Sequence, residues 1–245
     1  FYSIVLEDAI EASLLIDQSP YHFLEEVLEN DVIFITVNDN SIQPVAQELS
    51  KLRDELKNKI FIHTSGACSS DELDALSKIG ASVFSLHPIL SFKEIETSVL
   101  ALKNTVFTLE GSETNKDKVE SILKQCNNQY FHLKKEAKPL YHAACCILSN
   151  YFVTNSLIGF KLLEKCGIEM ESSSNAFGNL MQSTLNNIIS NPETALTGPI
   201  QRKDTEIIKK HLSILKEYPD VYLKYYQFLG QYTNNLFSND KEINK

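Results

Sequence analysis

The sequence predicts an α/β half followed by an all-α half. Two observations carry this. From residue 31 to residue 135, short runs rich in β-branched and aromatic residues alternate with helical patterns, as in a mostly parallel sheet with helices on its faces. Beyond about residue 135 the strand pattern stops and only helical periodicity continues. A division into 1–135 and 136–245 follows, and 245 residues with 43% hydrophobic content can furnish two modest cores.

The elements can be justified in order. The chain opens FYSIVLEDA, without an initiator Met and with what reads as a strand end running into a helix at 6–15, so a further N-terminal piece is expected before Phe1. A second helical pattern covers 21–29. DVIFITV (31–37) is almost continuously apolar, which suggests a strand buried on both faces. A helix at 42–57 leads to the strand KIFIHT (59–64). The helix at 70–79 is well signalled: Ser69 and Glu72 have the S-x-x-E form of a capping box, and Lys78 with Gly80 supplies a basic last turn and a glycine stop. ASVFSLH (81–87) and TVFTLEG (105–111) read as strands, 114–126 as a helix and QYFHLKK (129–135) as a fifth strand. The second half contains helices at 138–166, stopped by Gly167, at 171–190, ending before Pro192, and at 203–217 and 220–237.

Composition excludes several function classes. The formal net charge is −9, with Lys and Arg dispersed among the acids, so no basic stripe exists for nucleic acid or for an anionic membrane surface. No uninterrupted run of about 18 apolar residues and no signal-peptide pattern is seen, so a soluble cytoplasmic protein without a membrane span is expected. The five cysteines are odd in number and lack CxxC spacing, which argues against a disulfide framework and a thiolate metal site. Cys145 and Cys146, adjacent on a helical pattern, read as small apolar fillers.

Candidate site residues cluster after the strands, because open α/β sheets bind ligands beyond the carboxyl ends of their strands. In VNDNS (37–41), Asn38, Asp39, Asn40 and Ser41 either cap a helix or belong to a loop lying beside a bound cofactor. In HTSGACSS (63–70), Thr64, Ser65 and Gly66 either form a turn or allow a ligand close to the backbone. His87 precedes Pro88, which keeps it extended at a strand end, and His63 ends the neighbouring strand, so the two could share a site or each be structural. Lys138 and His142 lie four residues apart, on one helix face, and Pro139 places them in the first turn. They form either an amphipathic first turn or a lysine that polarises a carbonyl with a histidine relay.

Taken together, VNDNSI, HTSGACSSDEL, SLHPILSF, KPLYHAACCILSNYFVT and ALTGPIQRKD, in this order, resemble a bacterial family of Rossmann-like NADP-binding proteins with a helical C-terminal domain. That family is distantly related to the pyrroline-5-carboxylate reductases, the ketopantoate reductases and the β-hydroxyacid dehydrogenases. The resemblance implies a glycine-rich first turn preceding Phe1 and a helical half that dimerises. It puts Ser3 at the end of the second strand, where a small polar residue suits the 2′-phosphate of NADP. Ile4 stands where relatives commonly place arginine, which leaves NAD as the alternative.

The resemblance further implies that Lys138 and His142 match the lysine-bearing helix of the β-hydroxyacid dehydrogenases, although those usually have asparagine where His142 stands. His87 with Pro88 resembles the His-Pro step of prephenate dehydrogenases. The expected protein is a homodimeric NADP-linked oxidoreductase acting on a carbonyl or imine of a small anionic metabolite. Ser3, Val37, Asn38, Asp39, Thr64, Ser65 and Gly66 would line the cofactor, with His87, Lys138 and His142 facing the substrate and no metal involved. The rival expectation is a nucleotide-binding sensor or structural dimer without catalysis.

Overall fold

A computed structural model of the chain describes residues 1–237, apart from the side chains of residues 170 and 172–174. The chain forms two compact units, Phe1–Tyr151 and Phe152–Lys245. Helix α6 (Lys138–Leu148) falls in the first unit and is fastened to the sheet through its first residue, Lys138.

The first unit is built on a five-stranded sheet in the order β1 (Val32–Ile35), β2 (Ile60–His63), β3 (Ser82–Pro88), β4 (Phe107–Gly111) and β5 (Tyr130–His132). Strands β1, β2 and β3 are parallel, β4 pairs antiparallel with β3, and β5 is parallel to β4. Alternation along the strands divides the core in two. Ile33, Ile35, Phe61 and Val83 point to the face covered by α2 (Asp39–Lys51), α3 (Asp74–Ser77) and the 3₁₀ turn Leu24–Glu29. Ile60, Ile62, Phe84, Leu86 and Leu109 point to the other face, against Val119 and Leu123 of α5 (Lys116–Gln125). Double-sided burial holds for β2 and β3 but not, as expected, for β1. Among the described residues that strand pairs with β2 alone, and Phe34 on its second face is exposed.

Local physics accounts for the other departures. Helix α1 spans Leu6–Leu14, close to expectation, but 21–29 tightens to a 3₁₀ turn in which the Glu26 carboxylate accepts from the His22 and Phe23 N–H groups at 2.7 Å each. The stretch 70–79 divides into a 3₁₀ turn, Ser70–Leu73, and the short α3. Ser69 caps it by accepting from the Asp71 N–H, so the reciprocal box with Glu72 does not form. Gly80, at φ +95°, ends it as a residue without Cβ can. Helix α4 (Ile95–Leu102) lies where the sequence shows no clear element.

In the second unit the expected helix 138–166 is broken at Ser149, so that α7 (Asn150–Lys165) follows α6, and α8 (Met170–Ser190), α9 (Thr205–Leu215) and α10 (Asp220–Phe237) complete the chain. Among the described residues Leu215 is the sole buried apolar side chain of this unit. Taken across the break, Lys135–Lys165 is long and apolar enough to cross a membrane by length and composition, with mean hydropathy 1.3, although polar residues interrupt its apolar run. Its start is nonetheless tied into the sheet by Lys138.

Candidate active site

The loop after β2 is immobilised from below. His63 is fully buried, and its Nδ1 accepts from the Ser65 N–H at 3.2 Å, which leaves Nε2–H to donate to the Ser69 carbonyl at 2.9 Å. Burial depresses its pKa, so the ring is a neutral pin. Of the two alternatives for His63, a site shared with His87 or a structural role, these hydrogen bonds favour the structural one. The Ser65 hydroxyl accepts from the N–H groups of Ala67 and Cys68, a serine turn. From β4, the Glu110 carboxylate accepts from the Ser70 N–H and hydroxyl, both at 2.8 Å.

Lys138 completes these anchors from above. Its Nζ donates to Ser85 Oγ at 2.6 Å and to the Ser65 carbonyl at 3.1 Å, and the Ser85 hydroxyl donates to the same carbonyl at 3.2 Å. The residue is 0% exposed, and burial lowers its pKa against the opposing pull of Glu110. Lys138 was expected to face the substrate. Here its ammonium is occupied by the loop instead, because α6 turns this residue toward the sheet.

Gly66, at the top of the same loop, lies beneath two imidazoles. A Cβ placed there would stand 2.7 Å from His142 Cδ2 and 2.8 Å from His87 Nε2. Its φ is not positive, so the demand for glycine comes from these rings and not from the turn. His87 Nδ1 and the Tyr141 hydroxyl are 2.7 Å apart, with the rings edge to face, and the His142 ring also stands edge-on to His87.

Burial pushes the His87 pKa down to about 4, helped by the positive charge of Lys138 and by His142. Burial likewise raises the Tyr141 phenol to about 12, with Cys145 adding to the rise and Thr108 opposing it. Both groups are therefore neutral over a wide pH range. Either the phenol donates to Nδ1 and Nε2 carries a hydrogen toward Gly66, or Nδ1–H donates and the phenolic hydrogen is free. Thr108, opposite His87 across the β3–β4 ladder, is buried, and its hydroxyl makes no hydrogen bond of good geometry.

His87 and His142 border a cleft of about 340 Å³ lined also by Leu90, Cys145, Cys146 and Asn150 among others. No lysine or arginine is among the residues that line it. A separate cleft of about 480 Å³ beside β4 and residues 132–136 is rich in charge, but Lys116 and Lys135 there are already paired with Glu113 and Asp71. Among the described residues no group of three His, Cys, Asp or Glu is placed to hold a metal ion.

The remaining expected residues fall into two places. Val37, Asn38 and Asp39 follow β1, exposed, beside the strand whose end carries Thr64, Ser65 and Gly66. Asn38 occupies the cap position of α2, yet no side chain caps that helix, so capping does not account for its carboxamide. Ser3 accepts from the Val5 N–H in a local turn, and Ile4 is 91% exposed. Sequence reasoning missed Tyr141, Thr108 and Glu110. No spacing rule links Tyr141 to His87, which is 54 positions away, and only the fold brings them together.

The comparisons agree with this architecture. A family model described as a domain of unknown function, DUF2520, matches residues 105–233. No curated protein matches the chain. Protein TM1727 of Thermotoga maritima is similar at 24% identity and a TM-score of 0.74, covering 98% of this chain and 90% of that one. BF3122 of Bacteroides fragilis, provisionally described as an NADP oxidoreductase, is similar at 20% identity and a TM-score of 0.72, covering 96% and 87%. Pyrroline carboxylate reductase of Plasmodium falciparum, solved with NADP bound, is similar at 14% identity and a TM-score of 0.54, covering 90% and 83%. The shared fold is Rossmann-like, with a helical C-terminal region.

Proposed function

We propose that this chain, which belongs to the DUF2520 family, is a nicotinamide-dependent oxidoreductase, NADP-linked with NAD as the alternative, that reduces a carbonyl or imine of a small molecule. The observation that carries the reading is the His87–Tyr141 pair, 2.7 Å apart, whose imidazole lines a cleft beyond the carboxyl end of β3. The descriptions of the similar structures, an NADP oxidoreductase and a pyrroline carboxylate reductase, support the class of chemistry.

The residues present fit such a cofactor by the chemistry of their donors. The uncapped N-terminal turn of α2, the free Asn38 carboxamide and the small-residue loop at Thr64, Ser65 and Gly66 offer neutral polar groups on adjacent strand ends. A nicotinamide held by these groups would supply a hydride. The neutral His87–Tyr141 pair holds a hydrogen toward the substrate oxygen or nitrogen as charge develops on it. Lys138, with Ser85, is a positioning residue that fixes Gly66 beneath the two rings, and His142 forms the second wall. Titration of the full-length protein with NADPH, followed by a carbonyl and imine screen, tests the reading. Absence of nicotinamide binding would overturn it.

A nucleotide-binding module without turnover is the second reading, favoured by Ile4, 91% exposed at the position where the resemblance leads one to expect arginine. In both readings we infer a homodimer. Helices α7 and α10 bury none of their side chains, and Phe152, Leu180, Ile189, Phe228 and Tyr232 are exposed, an apolar surface that a second copy would cover. Sedimentation equilibrium showing a monomer would refute this, and recovery only with membranes would reassign Lys135–Lys165. The five unpaired cysteines suit the reducing cytoplasm.

A further inference from the structure

Two residues of α6 meet one face of the β3–β4 pair. Strand residues alternate between faces, so Ser85, opposite Glu110, and His87, opposite Thr108, share that face. Lys138 donates to Ser85, and Tyr141, three residues on, pairs with His87. Thr108 is only 3% exposed, and its Oγ1 is buried without a hydrogen bond of good geometry. Side chains directly opposite in an antiparallel ladder have Cβ atoms about 4.5–5.5 Å apart, so this hydroxyl stands beside the imidazole and the phenol paired with it. It opposes the rise that burial imposes on the Tyr141 phenol. Among the described residues the titratable groups that face the phenol are His87 from β3 and Cys145 from α6. A buried hydroxyl hydrogen without an acceptor is costly, whereas an unused lone pair is tolerated more often, so the phenolic oxygen is a fitting acceptor for Thr108.

We propose that Thr108 is a positioning residue: by donating to Tyr141 Oη it turns the phenolic hydrogen to His87 Nδ1, and so keeps a hydrogen on His87 Nε2 for the substrate. The chemistry rests on the oxidoreductase reading; the placement of the hydrogens does not. When the substrate oxygen or nitrogen takes the Nε2 proton, Nδ1 takes the phenolic proton. One N–H and one O–H bond break, one N–H bond forms at Nδ1, and one bond to hydrogen forms on the substrate. The imidazole stays neutral throughout, and the negative charge passes to Tyr141 Oη. There Thr108 donates to a phenolate, and a hydrogen bond to an ionised group is roughly twice as strong as a neutral one. Solvent returns the proton to the phenol, which is half-buried.

The test compares Thr108→Val, which removes the hydroxyl but keeps the shape, with Thr108→Ser, which keeps the hydroxyl, both in the full-length protein. Nitrogen NMR of the labelled histidines reads the His87 tautomer without cofactor or substrate. The parent and Thr108→Ser are expected to hold the Nε2–H form, and the ratio of Nε2–H to Nδ1–H is expected to fall about fivefold in Thr108→Val. A parent with the hydrogen on Nδ1, or an unchanged ratio in Thr108→Val, would overturn the proposal. In NADPH-dependent reduction of a carbonyl or imine, kcat is expected to fall about tenfold in Thr108→Val with KM little changed, and to be retained in Thr108→Ser. A threonine that merely packs predicts the reverse order, because serine leaves a methyl-sized void that valine fills. Equal kcat in the parent and Thr108→Val would also overturn the proposal. Absence of turnover in the parent counts against the oxidoreductase reading, and the tautomer ratio then still decides whether Thr108 sets the hydrogens.

Discussion

Gly66→Ala tests the arrangement of the site through the sign of its effect. Where glycine has an ordinary backbone conformation, replacement by alanine stabilises by about 0.4–1 kcal/mol, because the unfolded chain loses freedom. Gly66 has no positive φ, so this gain is available to it. Against it stands the Cβ, 2.7 Å from His142 Cδ2 and 2.8 Å from His87 Nε2. Carbon contacts settle near about 3.5–4.0 Å, so both rings would have to retreat by most of an ångström. His87 cannot do so without stretching its bond to Tyr141. Overpacking of this kind costs about 1–3 kcal/mol. The expected net result is a loss of about 1–2 kcal/mol, read as a fall in Tm of roughly 2–8 °C for a chain of this size. His142→Ala in the same background should return part of the loss, because it removes one of the two clashes. A Gly66→Ala protein as stable as the parent or more so would refute the placement of the imidazoles over the loop.

Other outcomes follow from the same geometry. Because His87 is held at about 4 from an ordinary 6.5, its neutral form contributes stability that is complete above 6.5 and lost as pH falls toward 4. Partial exposure of the ring reduces the contribution to about 2 kcal/mol, and His87→Gln should flatten that part of the pH profile of unfolding free energy. Lys138→Met, similar in length, should cost about 1–3 kcal/mol in denaturant unfolding, since the Ser65 carbonyl and Ser85 hydroxyl lose their charged donor. No loss would mean that the ammonium does not hold the loop. Glu110→Gln should loosen the Ser70 turn by about 1–2 kcal/mol and quicken hydrogen exchange at the Ser70 amide.

Much of the architecture is legible in the sequence because it rests on local periodicity. The runs containing β1 to β5 and the helices α5 and α10 are marked by residues that suit only one backbone geometry. The antiparallel turn of β4 against β3 is not marked, since a half-buried strand has the same alternation whichever way it runs. The break at Ser149 is also silent: residues 138–158 contain no glycine, and their one proline, Pro139, lies in the first turn.

The site divides in the same way. Spacing puts Lys138 and His142 on one side of a helix but does not say whether that side meets solvent or the sheet. Burial sends the lysine inward to Ser65 and Ser85, while His142 remains at the cleft. Cys145 and Cys146 read as packing because their type is apolar, and only the three-dimensional neighbourhood shows an imidazole beside one of them. His63 and His87 end adjacent strands, yet two hydrogen bonds from the first to its own loop remove it from the chemistry.

The central claim is that the His87–Tyr141 pair serves a bound nicotinamide. It is tested most directly by measuring NADPH affinity and NADPH-dependent reduction of carbonyls and imines in full-length parent and Tyr141→Phe proteins. The account expects NADPH to bind both proteins equally and turnover to fall by about a hundredfold or more in the variant. A parent that does not bind NADPH, or equal turnover in the two proteins, would contradict it.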